Sequence, residues 1–180
     1  KIVALIWLVM LLRAITGQAF LTFMPVLYVQ EGFSVVSAGA IYSIFTVSGT
    51  ISGLLAGHIS DRIGFKPVFF FSYLCMAPAL WLLMQLEGQW VYFGAALAGG
   101  FVLAPLPLGV TMAQTLAPKG RSMVASLMMG FAYGLGGAIT PIIGRLADHF
   151  AIRPVLTAMA VVPLLTLPII AIFPRVKSNG

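Results

Sequence analysis

A chain of 180 residues that is 61% hydrophobic and only 8% charged cannot clothe itself for water, because a soluble domain keeps roughly a quarter of its residues charged. Its net charge of +6 would suit a nucleic-acid binder, but the basic residues stand singly or in pairs between long apolar runs, the pattern that sets membrane orientation. One cysteine, Cys75, excludes an internal disulfide, and two histidines and four acids without HExxH, paired-cysteine or phosphate-loop patterns leave little material for a metal or nucleotide site.

Apolar runs of about 20 residues predict six membrane-spanning helices, at 2–29, 35–57, 67–86, 90–116, 123–144 and 154–173. Hydrocarbon offers no partner to backbone N–H and C=O groups, so each run must be helical. Pro25, Pro78, Pro105, Pro107, Pro141 and Pro163 fall inside these runs and read as kinks.

The first span carries Arg13, about 18 Å from a span start near Lys1 at 1.5 Å per residue. A cation at that depth costs about 2.5–3.5 kcal/mol, so it should face a wet cavity or a partner. Contact with an anionic or polar substrate, or with a coupling carboxylate, is one reading. Snorkelling, or a structural bond to helix carbonyls, is the other. Gln18 lies about 140° round the same helix, so both side chains cannot point squarely into one cavity. The second span adds Tyr42, Phe45 and Thr46, with Gly49, Gly53 and Gly57 repeating every four residues. The fourth adds Gln114. In the fifth lie Tyr133 and a second small-residue series, Gly130, Gly134 and Gly137. Arg13, Gln18, Tyr42, Phe45, Gln114 and Tyr133 are therefore the candidate cavity residues, each weighed against plain interhelical packing.

The chain echoes itself. Gly57-His-Ile-Ser-Asp61-Arg-Ile-Gly-Phe-Lys66-Pro67-Val68 recurs as Gly144-Arg-Leu-Ala-Asp148-His-Phe-Ala-Ile-Arg153-Pro154-Val155, 87 positions on. Three spans separate the copies, which inverts the second copy and predicts two inverted three-helix repeats, about 1–87 and 88–180, in one bundle over 1–180. Lys1, Arg62, Lys66, Lys119, Arg121, Arg175 and Lys177 gather on one face, against Arg145 and Arg153 beside Glu31, Glu87 and Asp148 on the other. The positive-inside rule then places both termini in the cytoplasm. A start at Lys1 with no leader pattern reads as a segment of a longer polypeptide.

The segment Gly57-x-x-x-Asp61-Arg62-x-Gly64-x-Lys66 resembles the signature loop of the major facilitator superfamily, found between its second and third helices and again between its eighth and ninth. Phe65 stands where that motif usually has a basic residue, as in its looser C-terminal copy. The resemblance implies an all-α membrane domain equivalent to helices seven to twelve, with Gly57, Asp61, Arg62, Gly64 and Lys66 forming a cytoplasmic latch against a missing N-terminal six-helix half. The stretch Gly134–Gly144 resembles the glycine- and proline-rich helix of exporters, which singles out Gly137, Pro141 and Gly144. Leu116–Gly137 is similar to fosmidomycin-resistance-type efflux proteins.

The function so implied is proton-coupled export of small drug-like or anionic molecules by alternating access, in a bacterial inner membrane. Its partners are the lipid bilayer, a small-molecule substrate and protons. No cofactor, metal or nucleic acid is expected. Uptake of a metabolite by symport and a non-transporting membrane scaffold remain the alternatives. An enzyme is not expected, since His58 and His149 lie at opposite faces and form no catalytic pair.

Overall fold

The computed structural model describes residues 2–173, and every described regular element is helical. Lys1, Arg175 and Lys177, counted above for orientation, lie outside the described residues. Six helical stretches are long and apolar enough to cross a membrane, so the protein is a multi-pass membrane bundle. The first three spans are single helices, α1 (Ile2–Gln30), α2 (Val35–Ile63) and α3 (Phe65–Gln85). The fourth is α4 (Trp90–Leu103) and α5 (Pro105–Leu116), parted at Ala104 because Pro105 and Pro107 have no N–H to continue the ladder. The fifth runs from a 3-10 turn at Pro118–Gly120 through α6 (Arg121–Ser126) and a π-helical turn at Leu127–Phe131 into α7 (Ala132–Phe150). The sixth is α8 (Ile152–Met159), a 3-10 segment at Val162–Thr166 that contains Pro163, and α9 (Leu167–Ala171). Pro25, Pro78 and Pro141 are accommodated inside otherwise continuous helices.

Two of the sequence boundaries need correcting. The second span does not stop at residue 57 but continues helically to Ile63, and the fifth continues past residue 144 to Phe150. Apolar counting stops where charges begin, whereas a helix can carry charged side chains out into the headgroup zone. The supposed loops shrink to one residue each: Gly64, at φ 91° and ψ 163°, and Ala151, at φ 67° and ψ 159°. These two residues are themselves 87 positions apart.

Packing obeys the same symmetry. The second span packs on the fourth as the fifth packs on the first, and the third packs on the fourth as the sixth packs on the first. First–second, second–third, fourth–fifth and fifth–sixth neighbours also touch, together with first–fourth and third–sixth. Exchanging spans one, two and three with four, five and six leaves this set of pairs unchanged, as two inverted three-helix repeats require. Glycine sets the tightest crossings. A Cβ on Gly49 of α2 would meet the Gly99 carbonyl of α4 at 2.7 Å, and one on its repeat equivalent Gly136 of α7 would meet the Ala14 backbone at 3.2 Å. The apolar core runs through these crossings, with Ile6, Phe20, Phe45, Phe69, Leu80 and Met112 fully enclosed.

Candidate functional site

The site is built around Arg13, whose side chain is 1% exposed. Arg13 projects from the middle of α1 into the space between the fourth and fifth spans. Its Nη1 donates to the carbonyl of Val102 at 2.8 Å, and its Nη2 to the hydroxyl of Tyr133 at 2.5 Å. Val102 offers its oxygen because it sits in the last turn of α4, where carbonyls lose their intrahelical partners. Tyr133 is the second residue after the π-helical turn, and its ring also faces the guanidinium carbon at 5.3 Å. One donor, Nε, is buried without a partner among the described residues. The structural alternative raised by the sequence, a bond from Arg13 to a helix carbonyl, is thus present, yet it satisfies only part of the guanidinium.

No carboxylate among the described residues pairs with the Arg13 charge. All four acids, Glu31, Asp61, Glu87 and Asp148, stand at the ends of spans, and the one ion pair among the described residues joins Arg153 to Glu31. Asp148 shares the fifth span with Tyr133 but lies about 22 Å further along it.

The remaining cavity candidates scatter. Gln18 is half-buried and makes no hydrogen bond to a described residue. Tyr42 is 38% exposed on the open face of α2, where Ser43, Thr46 and Thr50 bond back to carbonyls of their own helix and keep their lone pairs free. Gln114 Nε2 reaches the Arg121 carbonyl at 3.4 Å, bridging the fourth and fifth spans. Phe45 is fully buried, sealed where α2 crosses α4 at Gly99, and here acts as a packing residue. The structure therefore joins Arg13 and Tyr133 and leaves the other four apart. Composition could not reveal Val102, because its role rests on a main-chain oxygen. Trp7 was likewise missed: it stacks on Phe131 of the π-helical turn at 5.6 Å and 19°.

The latch candidates Gly57, Asp61 and Arg62 lie on the end of α2 rather than in a loop, and Lys66 on the first turn of α3. Asp61 and Arg62 are exposed on the last turns of α2 and form no ion pair among the described residues. Gly64 is the turn itself, and its N–H closes onto the Ser60 carbonyl at 2.8 Å. Lys66 does not pair with Asp61; its Nζ donates to the Ala171 carbonyl at 2.6 Å. Nothing lies within 4 Å of a Cβ built on Gly57 or Gly137, while Gly144 meets the Phe23 ring at 3.4 Å. Pro141 is exposed.

No group of three or more His, Cys, Asp or Glu able to hold a metal occurs among the described residues.

The family model described as Major Facilitator Superfamily matches residues 6–179. The chain is 33% identical over 123 residues to the fosmidomycin resistance protein of Escherichia coli (strain K12), covering 68% of this chain and 30% of that protein. It is 30% identical over 133 residues to an uncharacterized MFS-type transporter, YfnC, of Bacillus subtilis (strain 168), covering 73% and 32%. It is 31% identical over 157 residues to the multidrug resistance protein MdtG of Salmonella typhi, covering 78% and 37%. The chain thus spans about a third of the length of the curated relatives it matches.

Proposed function

The chain belongs to the major facilitator superfamily, and from that premise we propose that it is the C-terminal half of a proton-coupled exporter of small anionic or drug-like molecules. A second six-helix bundle supplies the other wall of the cavity, and substrate crosses by alternating access between the two. Efflux relatives named for fosmidomycin resistance and multidrug resistance support export over uptake. The basic face, with Arg62, Lys66, Lys119 and Arg121, is assigned to the cytoplasm of a bacterial inner membrane.

The observation that carries this reading is Arg13. A cation enclosed in the bundle without a carboxylate from its own chain needs its counter-charge from elsewhere, and a transported anion or a coupling carboxylate of the other half meets that need. None of this chain's acids lies mid-span, so the proton-carrying carboxylate is assigned to the other half as well.

Drug susceptibility of cells producing the full-length protein tests the proposal, wild type against Arg13→Ala, at equal membrane levels and over a panel that includes fosmidomycin. Resistance conferred by the wild type and lost in the variant supports an exporter whose cavity uses Arg13. A well-inserted wild type that protects against nothing on the panel sinks drug export.

A further inference from the structure

Lys66 opens the third span, and its Nζ donates to the carbonyl of Ala171 at the end of α9. Arg153 opens the sixth span and donates from Nη1 to the carbonyl of Met84 at the end of α3. Lys66 and Arg153 are 87 positions apart, and so are Met84 and Ala171. The two cations therefore do the same work at opposite membrane faces. Each caps the orphan carbonyls of the span that partners its own, where the helix dipole is negative.

The two fastenings differ in one member. Arg153 Nε and Nη2 also grip the carboxylate oxygens of Glu31 at 2.8 and 2.7 Å, a bidentate pair that adds the end of the first span to those of the third and sixth. The Tyr28 hydroxyl, donating to the Leu83 carbonyl at 3.2 Å, reinforces the same junction. At the other face the position equivalent to Glu31 is Pro118, which has no side-chain acceptor. The end of the fourth span is thus left out of the fastening to the third and sixth, and is held across its own junction by the long Gln114–Arg121 bond at 3.4 Å. Irregular helix follows it, first the 3-10 turn and then the π-helical turn at Leu127–Phe131. The 3-10 turn is the connector between the fourth and fifth spans, and the π-helical turn interrupts the fifth beyond α6.

We propose that this asymmetry is a conformational device: the Glu31–Arg153–Met84 clasp holds the ends of the first, third and sixth spans as one rigid body, and the unclasped junction 116–121 at the opposite face is the joint about which the bundle flexes. The functional half of the proposal, that this joint serves transport, rests on the alternating-access reading. The mechanical half does not.

Hydrogen–deuterium exchange on the full-length protein in lipid nanodiscs, without substrate, tests the device. In the wild type the amides of 83–87 exchange slowly and those of 116–121 fast. Glu31→Gln raises exchange at 83–87 by about two- to fivefold and leaves 116–121 unchanged. Lys66→Arg combined with Pro118→Glu builds the missing third member at the other face and slows exchange across 116–121 by about two- to fivefold. In the same double variant turnover falls while substrate affinity holds. Unchanged exchange at 83–87 in Glu31→Gln, or a rise spread evenly over the protein, overturns the clasp. Unchanged exchange at 116–121 in the double variant overturns the joint. Protein that shows both exchange effects but transports nothing keeps the device and removes only its assignment to transport.

Discussion

Arg13 is the residue on which the account turns. A charged hydrogen bond contributes about 1.5–3 kcal/mol, so Val102 and Tyr133 offset much of the cost of placing the guanidinium in the bundle. They neutralise none of its charge. Replacing a buried ionic group with an apolar side chain of similar volume is often neutral for stability. Arg13→Met is therefore expected to insert and melt within about 2 kcal/mol of wild type. A purely structural arginine would instead give a grossly destabilised Arg13→Met in thermal melts. Tyr133→Phe keeps the ring over the guanidinium and loses only the hydroxyl acceptor. It should cost about 1.5–3 kcal/mol in the same melts. The sequence showed that Arg13 is expensive, because hydropathy flags any cation mid-span. It could not show the partners, since one is a main-chain oxygen freed by a helix end and the other lies 120 residues away.

Elements divide into those closed within the bundle and those left open. Two glycine series looked alike in the sequence. In the structure, Gly49 and Gly53 of α2 press on the fourth span, whereas Gly130, Gly134 and Gly137 have nothing within 4 Å of a built Cβ. Periodicity reports that small residues line a face but not what covers it. Gly99→Ala would drive its methyl into the Phe45 backbone, an overpacking expected to cost about 1–3 kcal/mol in thermal melts of the protein in detergent. Gly137→Ala should leave those melts unchanged and yet impair transport, if a second bundle packs on that face as proposed. The one-residue turns allow a sharper comparison. Both hold a backbone conformation nearly reserved for glycine, yet one of them is Ala151. Ala151→Gly should raise stability and Gly64→Ala lower it, each by about 1–3 kcal/mol, as read by melting. The echo of 87 residues located both turns in the sequence; that each is a single residue between helices became visible only in the backbone.

At the scale of the whole molecule, the second and fifth spans are exchanged by the repeat and are equally open, with 22% of their most apolar stretch buried; the sixth follows at 28%, against 44–56% in the first, third and fourth. Two symmetry-related, under-packed helices with hydroxyls and glycines on the open sides give the proposed second bundle a surface to pack on. Six spans and their inverted order were legible from hydropathy and the internal echo, since lipid permits few alternatives to apolar helices. The helix breaks at Ala104 and at the π-helical turn were not, because they depend on how neighbouring spans take up freed backbone groups. The proposed function requires Arg13 to receive its counter-charge from outside this chain in the course of transport. Its most direct test is flux of an anionic substrate in proteoliposomes of the full-length protein, comparing wild type, Arg13→Lys and Arg13→Met at matched orientation and content. The account predicts that Lys retains part of the flux and Met none, with all three equally folded. Wild-type flux through Arg13→Met would contradict it.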